Sequence, residues 1–256
     1  MIELNKIYNE DCLEGMKRIP DQSIDAIICD LPYGTTRNAW DSVVPLQPLW
    51  KEYERIVKDR GAIVLFSQMP FSAILVASNP RLFKYEWIWQ KENATGFLNS
   101  HFAPLKVHEN ILVFSKSAAA FVRDKSNAMN YHPQMRPGKA YSAKQGAPTT
   151  SYDITHMREP VMTHYKAERY PLDVIKFNRD TNRLHPTQKP VDLVRYLIRT
   201  YSELGGVILD NCMGSGTTAI AAIREKRNFI GFELNKEYYN KACKRIKLEQ
   251  AQLSLF

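Results

Sequence analysis

The sequence predicts an α/β fold, a mostly parallel sheet with helices on both faces. Three observations carry that prediction. Short apolar runs bounded by turn residues, such as Ile24–Cys29 and Ala62–Phe66, read as buried strands. They alternate with stretches of helical spacing, such as Leu46, Leu49, Trp50, Tyr53, Ile56 and Val57. A glycine-rich turn, Gly214-Ser215-Gly216, stands between a strand and a helix. Alternating strands and helices imply parallel strands joined by helical crossovers.

The elements follow in order. Lys6-Ile7-Tyr8 predicts a short strand, and Asp11 is placed to cap a helix running through Ile19. Strand Ile24–Cys29 runs into Asp30-Leu31-Pro32-Tyr33-Gly34, and residues 35–44 read as a loop. The helix Leu46–Val57 should close at Gly61, with Ala62–Phe66 as the next strand. Phe71–Ser78 is a short helix stopped by Asn79-Pro80, and Tyr85–Trp89 and Asn110–Phe114 are further strands. Pro190 suits a first helical position, before an apolar face of Val191, Val194, Leu197, Ile198 and Tyr201 that ends at Gly205-Gly206. Strand Val207–Leu209, a helix to about Lys226, strand Phe229–Phe232 and a last helix capped by Asn235 complete the chain.

A chain of 256 residues can bury a sizeable core. No apolar run approaches the roughly 20 residues of a membrane span, and the N-terminus carries no secretory pattern. Cys12, Cys29, Cys212 and Cys243 lie far apart, which argues against zinc and against a disulfide framework and suits a reducing cytoplasm. The net charge of +8 favours polyanionic partners. Most of it lies between Lys116 and Arg183, where 12 Lys and Arg face 6 Asp and Glu. Periodicity is lost there, prolines recur, and aromatics are scattered among the charges. Basic residues interleaved with stackable rings suit a nucleic-acid surface. Arg136, Lys139, Arg158 and Arg169 are candidate phosphate or guanine contacts.

Two stretches carry chemistry. Asp30 and Tyr33 stand where a strand should end, and ligands of open α/β sheets bind outside the carboxyl ends of strands. The second stretch is a strand, a Gly-rich turn, a helix, a second strand and an acid at its tip, Glu233. That is a nucleotide-binding βαβ unit, in which the terminal acid accepts from ribose hydroxyls. The spacing is not G-x-G-x-x-G, and no G-K-[ST] is present. Asp210 would repel a pyrophosphate and suits a ligand with an amino group and a positive centre. S-adenosylmethionine is such a ligand.

Together these motifs resemble the amino-group DNA methyltransferases, enzymes acting on adenine N6 or cytosine N4. Their order resembles the beta class, a circularly permuted form of the Rossmann-like methyltransferase fold. The resemblance divides the chain into a catalytic part (1–115), an inserted target-recognition region (116–183), a cofactor-binding part (184–250) and a tail (251–256). Asp30-Leu31-Pro32-Tyr33 resembles the Asp-Pro-Pro-Tyr signature, and Asp210 through Thr218 resembles Asp-Pro-Phe-x-Gly-Ser-Gly-Thr-Thr. His185 through Pro190 resembles the stretch near the methionine end of the cofactor, and Gly231-Phe232-Glu233 the ribose-binding strand tip. His108-Glu109-Asn110 also resembles a family stretch. The resemblance implies a cofactor site of Asp11, Cys12, Asp30, His185, Thr187, Gln188, Lys189, Asp210, Asn211, Met213, Gly214, Ser215, Gly216, Thr217, Glu233 and Leu234, and no metal. Leu31 replaces the first proline of the signature, and Asn211-Cys212 replaces Pro-Phe.

The activity so implied is site-specific methylation of adenine N6 in double-stranded DNA from S-adenosylmethionine, after base flipping. Asp30 and the Leu31 carbonyl would accept the amino hydrogens, and Tyr33 would stack on the base. Cytosine-N4 or RNA-base methylation by the same machinery is the near alternative. A non-catalytic nucleic-acid-binding module is another, and a nicotinamide oxidoreductase is disfavoured by the glycine spacing. The expected setting is the cytoplasm of a bacterial or phage-infected cell, with restriction–modification as context and both monomer and homodimer open. Gln252-Leu253-Ser254-Leu255-Phe256 resembles the peptide by which bacterial proteins bind the polymerase sliding clamp.

Overall fold

Strand order is what makes a site in this molecule, and the strands follow the apolar runs. The computed structural model describes residues 2–34, 44–120, 124–145, 161–181 and 188–253. In chain order it holds β1 (Lys6–Tyr8), α1 (Cys12–Met16), β2 (Ile24–Asp30), α2 (Leu46–Ile56), β3 (Val57–Ser67), α3 (Phe71–Ser78), β4 (Phe83–Thr95) and β5 (Lys106–Phe114). Then come β6 (Arg136–Pro137), β7 (Tyr141–Gln145), β8 (Val161–Tyr165), β9 (Glu168–Arg169), β10 (Val174–Lys176), α4 (Val191–Tyr201), β11 (Val207–Asp210), α5 (Thr217–Arg224), β12 (Asn228–Phe232) and α6 (Lys236–Leu253).

Two units emerge, Met1–His132 with Asp173–Phe256, and Pro133–Leu172. The first contains an eight-stranded sheet in the order β1-β12-β11-β2-β3-β5-β4-β10. Neighbouring strands are parallel except where β5 pairs with β3 and β4. One face of the sheet packs on α1, α2 and α3 through Met16, Leu49, Trp50, Tyr53, Ile56, Phe71 and Leu75. The other packs on α4, α5 and α6 through Leu193, Leu197, Ile220, Ala242 and Ile246. Residues of β2 alternate between the two cores, which is why a central strand reads as a continuous apolar run. From β2 the chain moves one way to β3, and from β11 it moves the other way to β12. The two neighbours therefore diverge, and the crevice at their carboxyl ends is a topological switch point.

The second unit is narrower than the 116–183 span. It comprises the pair β6 and β9 and the hairpin β7 and β8, in which Tyr141 and Tyr165 stack with centroids 4.6 Å apart. Arg169 lies over the Tyr141 ring and donates to the carbonyls of Lys139, Lys166 and Glu168. Its guanidinium thus holds this unit together, a structural use the sequence did not suggest. Arg136 donates to the Tyr170 carbonyl at 3.1 Å, whereas Arg158 lies outside the described residues.

Several boundaries differ from expectation. α1 stops at Met16 rather than Ile19, because Arg18 and Ile19 turn back onto the Gly15 and Met16 carbonyls. Gly61 does not close α2. The chain passes directly into β3 at Val57, which pairs with Ile24, and Gly61 lies within the strand. A Cβ there would stand 2.8 Å from the Asp25 carbonyl, so the close approach of β2 and β3 at their register shift requires glycine. α4 ends at Tyr201, and Gly205-Gly206 forms the turn that follows. β4 and β5 extend well beyond the predicted strands into a long hairpin. Residues 35–43 lie outside the described residues, as does the end of the clamp-like tail; its Gln252 and Leu253 close α6.

Among the described residues, no helix is long and apolar enough to cross a membrane, and no cluster of His, Cys, Asp or Glu could hold a metal ion.

Candidate active site

A cavity of about 460 Å³ opens at the switch point. Asp30, Leu31, Pro32 and Tyr33 line it from the end of β2, and Asp210 through Ser215 with Thr217 from the end of β11. Glu233 and Leu234 line it from beyond β12, Asp11 and Cys12 from the start of α1, and Gln188 and Lys189 from the approach to α4. The structure therefore brings nearly all the expected cofactor and catalytic residues together. Gly216 shapes the turn beneath, and His185 and Thr187 lie outside the described residues.

The glycine-rich turn is held by its acids. Gly214 and Gly216 both take positive φ, +53° and +82°, a conformation that favours glycine. Asp210 accepts from the Cys212 N–H at 3.0 Å and from the Thr218 hydroxyl at 2.6 Å. Burial pushes its carboxyl up to about 6, against the pull of these donors. Glu233 accepts from the N–H groups of Gly214 (2.7 Å) and Asn235 (2.8 Å), and burial raises its carboxyl as well. Asp11 caps α1, accepting from Leu13 N–H at 2.8 Å. Gly231 leaves room for Met213, since a Cβ would stand 2.3 Å from the Met213 methyl.

Both departures from the resembled motifs have structural explanations. Leu31 is buried in the core under α1, α2 and α3, so packing anchors the strand end where a proline ring would stiffen it. Asn211 accepts from the Tyr53 hydroxyl at 2.5 Å, tying the turn to α2. Its amide lies 3.6 Å from the sulfurs of Cys12 and Cys212.

At the β2 end of the cavity, Asp30 is doubly engaged. Its Oδ1 accepts from the Tyr33 hydroxyl at 2.8 Å, and its Oδ2 from Lys189 Nζ at 2.6 Å. The Tyr33 ring leans on Phe71, centroids 5.3 Å apart. Lys189 is buried, 3.3 Å from Glu109 Oε2 and 5.1 Å from the Phe66 ring centroid. Burial works to lower its pKa, but Asp30 and Glu109 together hold it above the usual lysine value. Glu109 in turn pairs with Lys91 from β4. Its own burial is outweighed by the two ammonium groups, which hold its carboxyl below the usual range.

Sequence reasoning gave Lys189 to the cofactor, assigned no role to Glu109 and overlooked Lys91. The available signal was charge at the ends of apolar strands, Lys91 after Trp87-Ile88-Trp89 and Glu109 before Ile111. It also missed Asp180, which accepts from the Gln188 amide at 2.9 Å and from the Val191 N–H at 3.3 Å. Asp180 so fixes the start of α4 and orients Gln188 toward Ser215, 3.3 Å away.

Comparison with known proteins places the whole chain in a family. The chain is 30% identical over 269 residues to the type II methyltransferase M1.MboII of Moraxella bovis, covering 94% of this chain and 96% of that protein. It is 26% identical to the DNA adenine methyltransferase YhdJ of Escherichia coli K12, covering 95% and 83%. Among solved structures, the M1.HpyAVI–SAM complex matches with a TM-score of 0.60 at 25% identity, covering 94% and 98%. The cytosine-N4-specific PvuII DNA methyltransferase matches in fold, with a TM-score of 0.67 at 15% identity and coverage of 94% and 85%. Residues 24–244 match the N6_N4_Mtase family, and the chain therefore belongs to that family of DNA methylases.

Proposed function

We propose that this protein transfers a methyl group from S-adenosylmethionine to adenine N6 in double-stranded DNA. The observation that carries the reading is the shared cavity, in which Asp30 and Tyr33 from β2 meet the glycine turn from β11. The cavity suits the cofactor on its own terms. Its volume is in the range of small-molecule sites. Asp210 is a buried carboxylate held by neutral donors, a fitting neighbour for a cationic ligand, and Glu233 at the strand tip suits ribose hydroxyls.

When bound, S-adenosylmethionine supplies a methyl group on a sulfonium centre. The chain's own residues do the rest. A base inside a duplex stack is out of reach, so the target must be extruded into the cavity. There the Tyr33 ring, braced by Phe71, offers a stacking surface. The adenine amino lone pair is delocalised into the ring and is a poor nucleophile. Asp30 and the Leu31 carbonyl accept its two hydrogens, turning the amino group so that its lone pair faces the sulfonium. Asp30 or water then takes the proton that the methylated nitrogen sheds.

An aspartate in the first position of the signature and the relative named as an adenine methyltransferase support adenine over cytosine. The test uses tritiated S-adenosylmethionine with mixed-sequence duplex DNA and RNA, followed by base analysis. Label in N6-methyladenine is the expected result. Label in N4-methylcytosine, or in RNA alone, would overturn the choice of target.

A further inference from the structure

Each Asp30 oxygen already accepts one strong hydrogen bond, so a base amino group must compete for the lone pairs that remain. Tyr33 holds Oδ1 and the Lys189 ammonium holds Oδ2 at 2.6 Å. A second acceptor for that ammonium is already in place. Glu109 Oε2 lies 3.3 Å from Lys189 Nζ, is buried, and makes no hydrogen bond among the described residues. Its other oxygen is fixed by the buried ammonium of Lys91. The Oε2 oxygen is in ion-pair contact with the Lys189 ammonium but lacks the alignment of a hydrogen bond, so it has acceptor capacity in reserve.

We propose that Glu109 is a positioning residue that takes over the Lys189 ammonium when the target base engages Asp30. An ammonium carries three donors, so it can turn from one carboxylate to the other without leaving the cluster. The group comprises two lysines and two carboxylates, and its charge does not change in the exchange. A displacement of well under 1 Å would convert the 3.3 Å ion pair into a hydrogen bond. It would remove the ammonium that competes with the amino group for Asp30 Oδ2. Lys91 keeps Glu109 facing Lys189, and the Phe66 ring beneath the ammonium stabilises a cation at either end of the movement.

This inference rests on the proposed methyl transfer, and its test separates the two. In Glu109→Gln the alternative acceptor is weakened while the shape is kept. Single-turnover methylation should fall about 10- to 100-fold, with S-adenosylmethionine affinity and base extrusion, read by 2-aminopurine fluorescence at the target, unchanged. Glu109→Asp should recover part of the rate. A Glu109→Gln rate within about twofold of wild type, or a loss confined to cofactor affinity, overturns the handover. Absence of methylation by the wild-type protein would instead remove the function beneath it. Should Glu109→Gln fail to fold, the wild-type protein with S-adenosylhomocysteine answers the same question. The Lys189 side-chain nitrogen resonance should move when target duplex is added, and an unmoved resonance overturns the proposal.

Discussion

Asp30 and Asp210 end neighbouring parallel strands, and the chain treats them in opposite ways. Asp30 is partly open to the cavity and already has its cation, the ammonium of Lys189. Asp210 is buried and is met by a backbone N–H, a hydroxyl and the Cys29 thiol, all neutral donors, and burial lifts its carboxyl to about 6. Strand position alone therefore does not set the chemistry of a carboxylate; the third element brought against it does. α4 and its approach deliver a lysine to Asp30, and α5 delivers a threonine to Asp210. One acid is compensated within the protein, and the other is suited to a cation that arrives with a ligand.

This contrast can be broken experimentally. Asp30→Asn should lower single-turnover methylation by about 10²- to 10⁴-fold and leave S-adenosylmethionine affinity nearly intact; a loss of affinity with the rate preserved would reverse the two roles. Lys189→Met leaves Asp30 and Glu109 facing each other without their shared cation. Denaturant unfolding should show a loss of about 3–5 kcal/mol, and unchanged stability would mean that the pair is solvent-compensated. Asp210→Asn should act in the opposite sense to Asp30→Asn. Cofactor affinity should weaken by about 10- to 100-fold, or about 1.4–2.8 kcal/mol, with a smaller effect on the rate at saturation.

The pH dependence sharpens the same point. The folded pKa of Asp210 lies above its ordinary value of 3.8, so the free protein favours the neutral acid and loses that stabilisation as pH rises through about 6. A cationic ligand favours the carboxylate. Cofactor binding should therefore release a proton near pH 5.5, and affinity should decline as pH falls below about 6. Calorimetry in buffers of different ionisation enthalpy measures this, and Asp210→Asn should abolish it. The smallest effect is expected at the link between turn and helix. Tyr53→Phe leaves Asn211 Oδ1 without its donor and should cost about 1–3 kcal/mol of stability, with methylation at saturating cofactor little changed.

Much of this was legible in the residues because it depends on local sequence. Ile24–Cys29 is apolar without interruption, which marks a strand buried on both faces, and Asp30 follows it directly. Gly214 and Gly216 announce a turn that needs positive φ, and Pro190 and Asn235 announce helix starts. Gly61 misled because glycine signals both a helix stop and a close approach of neighbouring backbones, and sequence spacing cannot distinguish them. The ties of Arg169 to backbone carbonyls were not legible, because a surface guanidinium and one tied to its own backbone look alike in a sequence.

By itself the sequence determined the order of strands and helices outside 116–183, the glycine turn after β11, and the two acids that stand at strand ends. These are properties of short segments, set by apolar runs, glycine and caps. β10, which joins the main sheet from within 116–183, was not legible. Only the tertiary structure decided what each acid meets. β5 runs antiparallel between β3 and β4, so its beginning lies beside the ends of the parallel strands, and Glu109 arrives at the same edge as Asp30. Pairing of β4 with β5 sets Trp89 opposite Glu109 and brings Lys91 into its reach. Lys189 comes from a segment 159 residues away along the chain from Asp30. Ion pairs of this kind depend on distances of a few ångströms across strands and loops, which the linear order of residues does not encode.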